Sequence, residues 1–181
     1  LWMSQGTWLA LNDHGWEPYA HLLNVARDGC AIELDSLQAL PFTVPHDARE
    51  PLQLRCSDGS RHLGIVTDLG HPSSHVVASL QGCHALLIEA NHDPGLLQAS
   101  TYPTFLKQRV AGPWGHLANH ASADLLKRIL HDQLSYVVAA HLSERNNTPE
   151  LARASLSEAL NCAPSEVNVA DPTCGSEWVT V

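Results

Sequence analysis

The sequence predicts an α/β layered domain, with sheet and helix layers around one core. Three observations predict it. Short apolar runs bounded by turn residues dominate the first third, apolar strands alternate with helical stretches in the remainder, and 181 residues suffice for one domain with a sizeable core.

The elements follow in order. Residues 1–4 read as a strand and residues 7–12 start a short helix. Residues 30–34 and 40–45 are strand-like, the second ending at His46. Residues 52–56 and 62–66 are strands joined by Ser57-Asp58-Gly59-Ser60, and Asp-Gly in that setting signals a hairpin. Residues 73–80 read as helix, 85–88 as a buried strand and 104–110 as helix. Ala121, Leu125 and Ile129, with Leu126 and Leu130, recur at helical spacing, which predicts a helix over 119–134 with Asn119 as its cap. Residues 136–140 form a strand ending at His141. Thr148 caps a further helix with Pro149 at its first position. Residues 166–170 and 178–181 are terminal strands. No internal repeat or low-complexity linker divides the chain.

Composition narrows the function. Hydrophobic residues make up 44% and charged residues 16%, outside the range of a disordered chain. No apolar run approaches the ~20 residues of a membrane span. Cys30, Cys56, Cys83, Cys162 and Cys174 are odd in number, widely spaced and without a CxxC pair. That argues against a disulfide framework and a thiolate zinc knuckle, and a cytoplasmic setting is expected. The formal charge of −9 makes a poor general binder of nucleic acid, so a phosphate substrate must be held locally. Twelve histidines are a large excess, and imidazole is a common ligand of zinc-type metals.

Three polar residues follow apolar strands: His46 after Pro41-Phe42-Thr43-Val44-Pro45, Asp68 after Leu63-Gly64-Ile65-Val66-Thr67, and His141 after Tyr136-Val137-Val138-Ala139-Ala140. Strand ends deliver side chains to one rim of a sheet, where sites in such folds lie. Two imidazoles and a carboxylate suit borderline metals, and the two oxygens of one Asp can bridge two cations about 3.5–4 Å apart. On spacing alone, the ordinary reading of His and Asp as strand-end turn residues stays open.

The surrounding words are more specific. Val44-Pro45-His46-Asp47-Ala48, Thr67-Asp68-Leu69-Gly70, Glu89-Ala90-Asn91-His92-Asp93, Gly115-His116-Leu117-Ala118-Asn119 and His141-Leu142-Ser143-Glu144-Arg145-Asn146-Asn147-Thr148-Pro149 occur in this order. Together they resemble the YycJ/WalJ-like subgroup of the metallo-β-lactamase superfamily, related to RNase Z and to phosphonate-pathway phosphodiesterases. The resemblance runs from about Leu1 to Val181. It implies a partial metallo-β-lactamase fold, an αββα four-layer sandwich with N-terminal strands missing. It also implies that His46, Asp68 and His141 are metal ligands, with Asp68 bridging, and that His116 is catalytic, contacting the scissile phosphate or protonating the leaving group. Asn119, Ser143 and His92 are the candidate substrate contacts, Asn119 because it lies beside His116 at a helix start, where free N–H groups suit an anion.

The implied cofactors are two divalent ions, Zn²⁺ or Mn²⁺, activating a hydroxide against nucleic acid or a small phosphodiester, with no membrane partner; a homodimer is allowed. The family's His-x-His-x-Asp-His signature does not occur in the sequence, and beside Asp13-His14 its histidines would fall at Leu9 and Leu11. Residues 1–181 are therefore expected to be the C-terminal portion of a single such domain, inactive alone. Two alternatives stand beside the phosphodiesterase reading: a thioester or lactone hydrolase of the same fold, and a metal-free binding fragment. The remaining candidates read as ordinary residues. His71 and His75 are expected at the surface. Lys107 and Arg109, the basic pair nearest His116, are expected on a solvated helix face. The five tryptophans lack interleaved basic residues and are expected in core or interface.

Overall fold

A computed structural model describes residues 1–11 and 14–181; Asn12 and Asp13, the end of the first expected helix and the start of the Asp13-His14 pair, lie outside the described residues. The chain runs β1 (Trp2–Met3), α1 (Gln5–Leu11), β2 (Asn24–Val25), β3 (Ile32–Leu34), β4 (Leu37–Thr43), β5 (Leu52–Ser57), β6 (His62–Val66), α2 (Ser74–Leu80) and β7 (Ala85–Glu89). It continues with α3 (Pro94–Ala99), α4 (Thr104–Val110), α5 (Asn119–Ile129), β8 (Tyr136–Ala140), α6 (Pro149–Leu160) and β9 (Asn168–Val169).

The order β3-β4-β5-β6-β7-β8-β9 forms one seven-stranded sheet, and β1 pairs with β2 in a separate two-stranded sheet. From β3 to β6 neighbours are antiparallel, joined by short turns at Asp35-Ser36 and at 58–61 and by the longer segment 44–51 that carries His46. In the β5–β6 hairpin the Asp58 carboxylate accepts the N–H groups of Ser60 at 2.8 Å and Arg61 at 2.7 Å. From β6 to β9 neighbours are parallel, and each junction is crossed by helix: α2, then α3 to α5, then α6.

Alternation along the strands sorts the side chains. Val66, Leu86, Ile88 and Ala139 face a core completed by Leu125, Leu126 and Ile129 of α5 and Leu156 of α6. On the opposite face Leu54, Ile65, Leu87 and Val138 form one cross-strand row, of which the first three remain partly exposed. The chain thus has the α/β sheet-and-helix architecture expected, with one sheet face under helices and the other apolar but incompletely covered.

Some boundaries differ from expectation. Helix α5 ends at Ile129, not near residue 134. Leu134 prolongs the apolar repeat because a turn packs it against the same core. Asn119 is the first helical residue and not the cap, which is Ala118. Residues 178–181 form no strand, and Trp178 is fully exposed. Helix α3 was not foreseen, although Asp93 caps it, accepting the Leu96 N–H at 2.8 Å, with Pro94 at its first position. Among the described residues no helix is long and apolar enough to cross a membrane.

The bare sheet face has a measurable consequence. The isolated 181-residue chain is expected to bind an apolar-surface dye and to self-associate with rising concentration. A monodisperse monomer without dye signal, seen by ultracentrifugation and fluorescence, would contradict this.

Candidate metal and phosphate site

The C-terminal ends of β4, β6, β7 and β8 lie along one rim, and each contributes a polar residue: His46, Asp68, Glu89 and His141. Asp68 and His141 both have left-handed backbones, with φ of +53° and +58°. Non-glycine residues seldom adopt this conformation, and its cost is maintained only where surrounding structure enforces it. Both residues follow directly on parallel strands, where the reversed twist turns the chain sharply at the rim.

His116 arrives from the loop between α4 and α5. Two glycines allow that loop its path. A Cβ on Gly115 would lie 2.1 Å from the Arg109 carbonyl oxygen, and one on Gly70 would lie 2.3 Å from that of Pro113. With no side chain at either position, the loop folds back on α4. The His116 N–H then donates to the Val110 carbonyl at 2.9 Å, and the Gly115 carbonyl faces His46 Nδ1 at 3.0 Å.

Glu89 organises the centre. Its side chain is fully buried, its Oε1 lies 2.8 Å from both His116 Nδ1 and His141 Nδ1, and its Oε2 accepts the Leu69 N–H at 2.8 Å. Its backbone carbonyl accepts the Ser122 hydroxyl. Burial opposes ionisation, but the hydrogen bonds from His116, His141 and Leu69 outweigh it and hold the carboxyl below the ordinary glutamate value. The bond to Glu89 also raises the His141 pKa, against the effect of burial.

These partners fix the tautomers. A carbonyl and an ionised carboxylate only accept, so His46, His116 and His141 each donate through Nδ1. Their Nε2 lone pairs are left for the cavity. His46 Nε2 and His141 Nε2 lie 3.7 Å and 3.6 Å from the same Asp68 oxygen, Oδ1. Ligand atoms around one tetrahedral cation, at ~2.0–2.2 Å from it, stand about 3.4 Å apart. The spacing fits a cation between Asp68 and an imidazole, and the groups close enough to share one ion are His46, Asp68 and His116, and Glu89, His116 and His141. The His116 ring stands beside both others, 5.1 Å from His46 and 5.3 Å from His141 between centroids. Glu89 and His116 also fall within ligand distance of neighbouring groups. The three hydrogen bonds already accepted by Glu89 suit it to orienting the rings of His116 and His141.

The group opens into a cavity of about 400 Å³ lined by His46, Asp47, Asp68, Arg109, His116 and His141. Arg109 Nε lies 2.5 Å from Asp47, and this pairing holds the Asp47 carboxyl below its usual range. His116 also lines a second cavity, of about 620 Å³, together with His92. His92 is 2% exposed with its Nδ1 buried and unpartnered, and burial lowers its pKa.

Two candidates are placed elsewhere. Asn119 is buried, and its amide exchanges two 2.9 Å hydrogen bonds with that of Asn147. It braces the helix start, its side chain turned to Asn147 and its backbone N–H donating to the His92 carbonyl at 2.9 Å. Ser143 accepts from Asn146 at 3.2 Å and lines a different cavity beside Thr148 and Pro149. Among the bystanders, His71 lies 2.8 Å from the Pro113 carbonyl and His75 pairs with Asp28. Glu89 has no expected role from the sequence, although it opens the word Glu89-Ala90-Asn91-His92-Asp93. A carboxylate ending an otherwise apolar strand, Ala85-Leu86-Leu87-Ile88-Glu89, was the available signal.

Comparison with known proteins places the fold and the relatives of the chain. No protein-family model matches the chain. Exodeoxyribonuclease YycJ of Bacillus anthracis is 31% identical over 157 residues, which are 82% of this chain and 60% of that protein. Exodeoxyribonuclease WalJ of Streptococcus pneumoniae D39 is 34% identical over 128 residues, 71% of this chain and 48% of that protein. The chain thus spans roughly half to three-fifths of the relatives it matches. The metallo-β-lactamase fold protein YhfI of Bacillus subtilis superposes with a TM-score of 0.62 at 13% identity, over 82% of this chain and 53% of its own. Zn²⁺-bound PqqB of Methylobacterium extorquens gives 0.66 at 17% identity, over 94% and 62%.

Two substitutions probe the site. Glu89→Gln leaves one acceptor oxygen for three donors and removes the charge that orients two imidazoles. Metal affinity of the protein carrying this chain should fall about 10–100-fold in a chelator competition; unchanged affinity would refute the orienting role. Gly115→Ala drives a Cβ into two backbone carbonyls, so thermal melts should show about 1–3 kcal/mol of destabilisation.

Proposed function

This chain is a YycJ/WalJ-like protein of the metallo-β-lactamase fold, and on that premise we propose that it is the C-terminal portion of a metal-dependent phosphodiesterase acting as an exonuclease on nucleic acid. The supporting observation is the convergence of His46 and His141 on one oxygen of Asp68, with His116 beside them and Glu89 behind. In this reading His46, Asp68 and His141 hold two divalent cations, Zn²⁺ or Mn²⁺, together with ligands from outside these 181 residues. Such cations lower the pKa of a bound water and offset charge on a phosphate.

The chain's own residues do the rest. The ionised Glu89 keeps His116 and His141 donating through Nδ1, so that both rings present Nε2 to the cavity. The attacking water releases one proton to solvent and adds to phosphorus as the P–O bond to the leaving oxygen breaks. His116, having first taken up a proton from solvent at Nε2, gives that proton to the leaving oxygen while its Nδ1–H stays on Glu89. The Asp47–Arg109 pair borders the same cavity and places a guanidinium within reach of a phosphate oxygen. Five unpaired cysteines fit a reducing, cytoplasmic setting.

The test uses the protein carrying this chain, loaded with metal. It is expected to bind two cations and to hydrolyse bis(p-nitrophenyl) phosphate faster than a nitrophenyl thioester or lactone. His116→Ala should lower kcat about 10²–10⁴-fold with metal content retained. Background turnover with both metals bound would remove this reading, and faster thioester turnover would replace it. The 181-residue chain alone is expected to bind fewer than two cations tightly and to be inactive.

A further inference from the structure

An acidic protein that cuts nucleic acid must gather its few cations where the strand runs. The sequence has 19 Asp and Glu residues, yet none occurs from Pro94 to Ala123. That stretch carries Lys107, Arg109, His116 and His120, and it folds as α3, α4 and the loop leading to His116.

Helix α4 divides the two cavities that meet at His116. At 100° per residue, Thr104, Lys107, Gln108 and Ala111 fall on one side and line the 620 Å³ cavity. Leu106, Arg109 and Val110 fall on the other and line the 400 Å³ cavity. Phe105 lies on the arc between Gln108 and Arg109, at the crest of the partition. It is 71% exposed, which is unusual for a phenylalanine, and Trp114, just past the helix, is 58% exposed. Of the five tryptophans, expected in core or interface, only Trp8 is buried in the core.

The larger cavity has two kinds of wall. Leu97, Ala111 and Ala118 are apolar, whereas Gln98, Gln108 and His120 offer polar atoms. Its volume lies within the roughly 300–1,000 Å³ of small-ligand sites. The Lys107 ammonium donates to the Gln98 carbonyl at 2.6 Å, which leaves two further donors. The buried, unpartnered Nδ1 belongs to His92, on the wall that also carries His116.

We propose that α4 is a stacking crest for a single-stranded end: the scissile phosphate lies in the smaller cavity, a base stacks on Phe105, and the larger cavity receives the terminal nucleotide. This rests on the phosphodiesterase reading above and adds the path of the strand. A stacking aromatic between two cationic side chains is how single strands are held without sequence preference, since every base has a π-face. Arg109, next to Phe105 round the helix, lines the smaller cavity and Lys107, on the far side of the helix, lines the larger, so each meets a phosphate in its own cavity.

The experiment measures fluorescence anisotropy of the metal-loaded protein carrying this chain. The probe is a phosphorothioate-linked oligothymidylate with an internal dye, which resists cutting. A second probe has two abasic residues at each end. The unaltered protein should bind the intact strand about tenfold more tightly than the abasic one, the low end for a stacked base. Phe105→Ala should lose about tenfold on the intact strand and nothing further on the abasic strand, so the two losses do not add. Phe105→Trp should restore the difference. Because Phe105 is exposed, a melting curve of Phe105→Ala should overlay that of the unaltered protein. Equal weakening of both probes by Phe105→Ala, no weakening of either, or no binding by the unaltered protein would overturn the strand path. Hydrolysis of bis(p-nitrophenyl) phosphate separates the two failures. Turnover without the abasic contrast sinks the path alone, and no turnover sinks the functional reading with it.

Discussion

The carboxylate of Glu89 sits at the end of β7 with no exposed surface and three hydrogen-bond donors converging on it. Removing such a charge from water is expensive, and a buried carboxylate persists only when hydrogen bonds compensate it. Here the compensation comes from two imidazoles and a backbone N–H, so stability and site geometry share one set of bonds. The same contacts decide which nitrogen of each ring is free. The lone pair that His141 turns towards Asp68 and the set of the His116 ring beside it depend on that buried charge, whereas the Gly115 carbonyl sets His46.

Around it the fold supplies position without depending on long side chains. Parallel strands bring Asp68, Glu89 and His141 to one edge, and two left-handed residues turn the chain there. The Asn119–Asn147 pair lies under the same rim, with Asn147 also donating to the Ala90 carbonyl at 2.7 Å. A site mounted on strand ends and braced by fully paired buried amides is held more precisely than one on free loops. The glycine-permitted fold-back of the loop onto α4 makes His116 part of that rigid set, although no strand carries it.

The net charge of −9 is unevenly spread along the chain. Carboxylates are absent from the segment that walls the larger cavity and forms the partition, while Asp47 and Asp68 lie on the cation side. His116 borders both cavities, one with Asp47, Asp68 and Arg109 in its wall and the other with Lys107 and no carboxylate. Net charge describes the whole surface, but a phosphate responds to what lies within about a Debye length, roughly 10 Å at moderate salt.

What the sequence determined by itself was local in its physics. Apolar alternation and turn chemistry placed β5, β6, β8 and α4 within a residue or so of their bounds, and ordered motif words identified His46, Asp68, His116 and His141 as residues worth uniting. Helix α5 was overextended because a turn residue, Leu134, packs as a helical one would, and residues 178–181 looked like a strand although no neighbour pairs with them. The tertiary structure alone decided the use of each polar group. Asn119 was legible as a helix start, but its amide faces Asn147, 28 residues away. Glu89 was legible as a polar end to an apolar strand, but its partners lie 20, 27 and 52 residues away. Hydrogen bonds form between atoms that meet in space, and sheet pairing with left-handed turns fixes those meetings only after the chain has folded.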